Sequence, residues 1–139
     1  MQKIKLISVG KMGRGPLHEL RGEFLKRLGP YMKVHEQVVD ELTQEMLEFQ
    51  DITVILAEDG KTMDSPTFAK SLVSWSEYGQ RELSFVIAGP FGFDRALLKH
   101  VDHVLSLSPM TFPHEMAYVI LLEQLYRAGT ILAGKTYHY

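Results

Sequence analysis

From Lys3 to Val9 the chain reads KIKLISV, with polar and apolar positions alternating before they give way to an unbroken apolar run. A period of two that closes on continuous apolar residues predicts a strand with at least one buried face. Pro16 opens a helix at its first position, and Leu17, Leu20, Phe24, Leu25 and Leu28 form its apolar stripe until Gly29-Pro30 stops it. Val34–Val39 and Ile52–Ala57 read as strands, separated by a helix from Glu41 to Phe49 that Asp40 is expected to cap. Ser65-Pro66 is expected as N-cap and first residue of a helix reaching Tyr78-Gly79, and Leu83–Ile87 is the next strand. Asp94–His100 reads as a short helix, Val101–Leu107 as a last strand, and Glu115–Leu132 as the longest helix, followed by the tail Ala133–Tyr139. Strands alternate with helices throughout, so the expected fold class is α/β: a single domain over residues 1–139 with a mainly parallel sheet.

The last helix departs from the surface pattern. Met116-Ala117-Tyr118-Val119-Ile120-Leu121-Leu122 is apolar on every side, whereas a surface helix carries one stripe. One face can cover the sheet, and a partner subunit is the simplest cover for the other, so a homodimer is expected.

Composition narrows the classes further. The 139 residues include no cysteine, which removes a disulfide framework, a cysteine zinc site, an iron–sulfur cluster and a thiol nucleophile. The apolar run Leu6–Val9 is too short for a signal peptide, and no run approaches a membrane span, so a cytoplasmic protein without membrane partners is expected. The formal charge is only −2, yet it is unevenly spread. Residues 1–33 hold eight basic side chains against Glu19 and Glu23, while residues 34–64 hold nine acids against Lys61 alone. A basic end of this kind can meet a phosphate backbone although the chain as a whole is slightly acidic.

In open parallel sheets, ligands bind beyond the carboxyl ends of the strands. Three loops qualify: Glu58–Ser65, Ala88–Phe93 and Ser106–Pro113. Gly89 and Gly92 allow close approach to the backbone, and they serve equally as a plain strand-to-helix turn. Neither a dinucleotide fingerprint nor a P-loop is present; Gly60-Lys61-Thr62 has the ending of a P-loop without its first glycine. His100-Val101-Asp102-His103 has metal-ligand residue types, but two rings at a helix–strand junction need not converge and no second cluster completes a shell; no metal is expected. His114 opens the long helix directly after the third loop. His138, between Tyr137 and Tyr139, gives the tail three rings suited to docking on a partner subunit or stacking on bases. Paired carboxylates for glycoside chemistry are lacking, and Ser106 and Ser108 have no assigned base for hydrolysis.

Several segments together carry a family resemblance. Ile4–Lys11 (IKLISVGK), Leu56 with Gly60-Lys61, Phe85–Phe93 (FVIAGPFGF), Leu105–His114 (LSLSPMTFPH), Leu122–Ala128 (LEQLYRA) and Tyr137-His138 occur in that order. The chain thus resembles the ribosomal large-subunit methyltransferase H family, in the SPOUT class of trefoil-knotted methyltransferases. The resemblance implies a C-terminal trefoil knot, a homodimer, S-adenosylmethionine as methyl donor, and methylation at N3 of a pseudouridine in 23S rRNA of the assembled ribosome. Carried over residue by residue, it assigns the cofactor to Leu56, Ala88, Gly89, Leu107, Ser108, Pro109, Met110, Thr111 and Phe112. It assigns the substrate side to His114, Arg127, Tyr137 and His138; Tyr139 is expected to join them, and His138 is the best titratable candidate for catalysis, the family supplying no base to carry over. Three positions differ from the family's habit: Ala88 replaces a glycine, Tyr118 stands where an arginine is usual, and the chain ends in Tyr139 rather than a cation. The two missing cations are expected to have faced RNA. They leave open an rRNA-binding homologue with impaired catalysis, or a methyltransferase acting at another RNA site.

Overall fold

The computed structural model describes residues 1–137, and within them the α/β expectation holds. Five strands, β1 (Gln2–Val9), β2 (Met32–Val39), β3 (Ile52–Lys61), β4 (Leu83–Ile87) and β5 (His103–Leu105), form one sheet in the order β2-β1-β4-β3-β5. Every neighbouring pair is parallel. The helices are α1 (Pro16–Leu28), α2 (Gln44–Phe49), α3 (Ser65–Trp75) and α4 (His114–Leu132), with a 3-10 helix at Arg95–His100.

The two faces of the sheet are unequal. Ile4, Leu6, Val54, Phe85 and Ile87 pack against Phe24 and Leu28 of α1, Phe68 and Leu72 of α3, and Leu121, Leu122 and Leu125 of α4. The opposite face carries a smaller core, in which Ile7, Ile55 and Val86 meet Leu47 of α2 and Leu97 and Leu98 of the 3-10 helix. All five residues of β4 are buried, as a strand covered on both faces requires. Helix α4 lies between α1 and α3, so Tyr118, Val119, Leu121 and Leu122 are buried within one chain. Its apolar girth is therefore largely satisfied inside the monomer; Met116 and Leu132 are left exposed. Among the described residues no helix is long and apolar enough to cross a membrane.

Several boundaries differ from the sequence reading, each for a local reason. Helix α2 is capped by Thr43, whose Oγ1 accepts from the Met46 amide at 3.1 Å, and not by Asp40. Helix α3 is capped by Asp64, whose Oδ1 accepts from Thr67 N at 2.8 Å, which puts Ser65 inside the helix. It ends at Trp75 because Glu77, Tyr78 and Gly79 all take positive φ and reverse the chain. Strand β5 starts only at His103, because Asp102 is held in place by Thr53. Its Oδ2 accepts from the Thr53 amide at 2.8 Å and hydroxyl at 3.1 Å, while its own amide donates to Thr53 Oγ1 at 2.9 Å. Strand β3 runs on to Lys61 through a bulge after Leu56, so the first expected ligand loop begins as a distorted strand. Ser106 closes that bulge, its amide donating to the Lys61 carbonyl and its hydroxyl to the Glu58 carbonyl, both at 2.9 Å.

Candidate functional site

Beyond the carboxyl ends of β3, β4 and β5 the three expected loops converge on one cleft of about 900 Å³. Leu56, Ile87, Leu107, Met110 and Phe112 supply apolar walls. Ala88, Gly89, Ser108, Thr111 and His114 complete the part of the lining that the sequence pointed to. Pro109 is not among the lining residues, although its neighbours on both sides are.

The turn that leaves β4 is built on two glycines. Gly92 has φ +74° and its amide donates to the Gly89 carbonyl at 3.1 Å, which places Pro90-Phe91 at the tip. A Cβ on Gly89 would lie 3.1 Å from the Val9 carbonyl oxygen, so the turn sits directly against the end of β1. Ala88 needs no left-handed backbone: among the described non-glycine residues only Glu77 and Tyr78 have positive φ. The loop that leaves β5 is pinned by Ser108, whose Oγ accepts from the Met110 amide at 3.0 Å. Among the described residues no group accepts from the amides of Thr111 and Phe112. A cleft of this size with apolar walls and open backbone donors fits an adenosyl group, whose edge hydrogen-bonds and whose ring needs apolar contact. The residues present therefore fit the expected cofactor.

The cleft also contains residues the sequence reading passed over. Asp59 on the β3 bulge pairs with Arg95 of the 3-10 helix, and the Arg95 guanidinium lies 5.4 Å from the Phe93 ring centroid. Glu58 and Phe91 line the same opening. Glu58, Asp59, Phe91 and Phe93 fell inside the expected loops, but Arg95 carried no signal, since only the 3-10 helix brings it back over the cleft.

The substrate-side residues divide into two groups. His114 lies in the cleft. Arg127 instead forms an ion pair with Glu123 one turn back on α4, and its guanidinium covers the Tyr137 ring at 5.0 Å. Tyr137 donates to Glu123 Oε1 at 3.3 Å and packs edge-on against Tyr126 at 4.7 Å. The hydrogen bond to Glu123 raises the Arg127 pKa; burial, then Glu123, raises that of Tyr137. His138 and Tyr139 lie outside the described residues.

Tyr118 corrects another expectation. It is 2% exposed, and its hydroxyl donates to Glu36 Oε2 at 2.5 Å while Arg21 reaches the same oxygen at 3.0 Å. The position faces the α1–β2 junction of its own chain and not solvent. His100 pairs with Glu48 at 3.6 Å, His103 stacks on Trp75 at 4.6 Å, and Asp102 is engaged by Thr53. Among the described residues no group of three or more His, Cys, Asp or Glu side chains could hold a metal ion.

A family model described as "Predicted SPOUT methyltransferase" matches residues 2–138. The chain belongs to the SPOUT methyltransferase family. By its description the family is one of methyltransferases. Curated relatives named "Ribosomal RNA large subunit methyltransferase H" include the Dinoroseobacter shibae protein, 37% identical over 98% of this chain and 98% of its own length. The Bifidobacterium adolescentis protein is 40% identical over 98% of this chain and 99% of its own. The match to the Nitratidesulfovibrio vulgaris protein is stronger but shorter, 52% identical over 64% of this chain and little more than half, 57%, of that relative. Among solved structures, a probable methylase family protein from Haemophilus influenzae superposes over 99% of this chain and 70% of its own, with TM-score 0.63 at 12% identity. A probable methyltransferase from Bordetella pertussis covers 91% of this chain and 96% of its own, with TM-score 0.60 at 11% identity. These two likenesses show the fold alone.

Proposed function

We propose that this chain methylates N3 of a pseudouridine in 23S rRNA of the assembled large subunit, acting in the cytoplasm as a homodimer with S-adenosylmethionine as donor. The observation that carries the reading is the convergence of the β3, β4 and β5 loops on one cleft lined by Leu56, Ala88, Gly89, Leu107, Ser108, Met110, Thr111 and Phe112. The rRNA target follows the names of the full-length relatives. When bound, S-adenosylmethionine supplies an electrophilic methyl group. The chain's part is to hold that group and the base in line while the base nitrogen loses its proton. The apolar walls keep water from the reacting atoms, and the amides of Thr111 and Phe112 fix the adenosyl edge. His114, inside the cleft, orients the base. His138 accepts the N3 proton, and Tyr139 beside it contacts the RNA.

Homodimer assembly has a geometric motive. Thirteen helical positions separate His114 from Arg127, about 20 Å at the rise of an α-helix. Arg127 and Tyr137 therefore lie far from the cleft of their own chain, and a second copy brings them to it.

Two measurements test the reading. Calorimetric titration with S-adenosylmethionine is expected to give saturable binding at one per chain. Labelled methyl groups should then pass to unmodified large subunits, and mapping should place them at one pseudouridine. Cofactor binding without transfer to any ribosomal substrate would reject the enzymatic reading and leave an RNA-binding homologue; transfer to another nucleotide would change the target.

A further inference from the structure

Resting on that reading, we infer that the loop after β1, with Lys11 and Arg14, and the Phe91 ring at the tip of the β4 turn form the lip over which single-stranded RNA enters the cleft. Lys11 and Arg14 hold the phosphate backbone, and Phe91 stacks on a base next to the target. Strands β1 and β4 are neighbours in the sheet, so the loops at their carboxyl ends are neighbours as well. Gly89 lies close against Val9, so the β4 turn abuts the start of the β1 loop. On its other side the loop is tied to the cleft, because the Gly13 amide donates to Glu115 Oε1 at 2.5 Å and Glu115 follows His114 of the lining. Lys11 and Arg14 are thus set beside the cleft by these two contacts.

The charges at this lip are available. Lys11 and Arg14 are exposed and form no ion pair among the described residues, whereas Arg21 is taken by Glu36 and Arg95 by Asp59. Of the acids nearby, Glu115 keeps its charge while it holds the Gly13 amide, one carboxylate against two cations, and Glu58 and Asp59 lie at the β3 side of the opening. An RNA strand is accordingly drawn across the β1 side. Phe91 is 99% exposed on a turn whose two glycines hold it out, with Met110, 74% exposed, on the same rim. A fully exposed aromatic ring has no role in the monomer's own packing. Beside two free cations it matches the pairing of base stacking with phosphate contact by which proteins grip single strands.

Binding of the full chain to large subunits, measured across a salt series, separates the two components. For the double variant Lys11→Gln/Arg14→Gln, the slope of log affinity against log salt should become shallower by about 1.5, as expected when two phosphate contacts are lost. Its affinity for S-adenosylmethionine should not change, since neither side chain lines the cleft. Phe91→Ala should weaken subunit binding by about 5- to 100-fold with the salt slope unchanged, and Phe91→Trp should restore it. An unchanged slope in the double variant, with wild-type methylation intact, overturns the phosphate assignment while leaving the enzymatic reading in place. Unaltered RNA affinity in Phe91→Ala together with a weakened dimer assigns the ring to the subunit interface and overturns its stacking role. Wild-type protein that neither binds nor methylates large subunits rejects the reading on which both rest.

Discussion

Gly13 and Glu115 stand 102 positions apart in the chain, yet the amide of one donates to the carboxylate of the other at 2.5 Å. The contact ties the β1 loop to the first turn of α4, where a carboxylate is also favoured by the helix dipole. A Cβ on Gly13 would lie 3.3 Å from the same oxygen, a tight approach that the end of the flexible Glu115 side chain can relieve by a few tenths of an ångström. Glu115→Ala should free the loop: amide exchange at Gly13 is expected to accelerate about tenfold, in line with a net hydrogen-bond contribution of roughly 0.5–1.5 kcal/mol. Hydrogen exchange read by NMR would show it, and unchanged protection at Gly13 would mean that the loop is held by something else.

Tyr118 replaces a cation that the family resemblance leads one to expect, and its surroundings explain how the chain accommodates the change. Burial first, and then the hydrogen bond to Glu36, push the phenol pKa well above its ordinary value, so the group stays a neutral donor. Arg21 completes the cluster, with its guanidinium 5.9 Å from the Tyr118 ring centroid. Tyr118→Phe removes the donor while Glu36 keeps Arg21. A loss of about 1.5–3 kcal/mol in chemical denaturation is expected, the range for hydrogen bonds to charged acceptors. No loss would mean that water replaces the hydroxyl without cost.

Much of this architecture was legible in the sequence because its signals are local. The apolar runs of β1, β3 and β4 and the Pro16 and Gly29 ends of α1 needed no tertiary information. The loops at the cleft were placed by the general habit of parallel sheets. What escaped depended on contacts far apart in the chain. The bulge after Leu56 exists because Ser106 bonds to Glu58 and Lys61, and the late start of β5 follows from the Thr53–Asp102 clamp. Arg95 enters the cleft only through the 3-10 helix. Helix α4 looked in need of a partner because sequence cannot show that α1 and α3 flank it.

Gly60 and Ala88 make opposite predictions at two edges of the cleft. A Cβ on Gly60 would lie 2.8 Å from the backbone carbon and oxygen of Val104, in a bulge with no flexible side chain to yield. Gly60→Ala should therefore destabilise by about 1–3 kcal/mol, the usual cost of overpacking. Ala88→Gly, although it restores the residue usual in the family, relieves no strain, since Ala88 has no positive φ. It should instead lower stability by about 0.4–1 kcal/mol through the freer unfolded chain. Thermal denaturation of both variants checks the pair, and a stabilised Ala88→Gly protein would contradict the backbone reading.

His103 sets an acid-side limit on stability. Burial against Trp75 lowers its pKa; Asp102 offsets this in part, and Lys61 adds to the lowering. A depressed histidine pKa means that the unfolded chain binds the proton more readily than the folded one. Well above pH 6.5 the ring is uncharged in both states and imposes no cost. As pH falls through the unfolded value near 6.5, the unfolded state gains protons first and stability drops; the slope levels off once the pH is below the folded pKa as well. His103→Phe keeps a ring on Trp75 and removes the titrating group. In denaturant melts between about pH 5 and 7.5, the variant should gain on the wild type as the solution is acidified, starting from the pH where free histidine titrates. A stability difference that stays constant across that interval would show that His103 does not couple to folding.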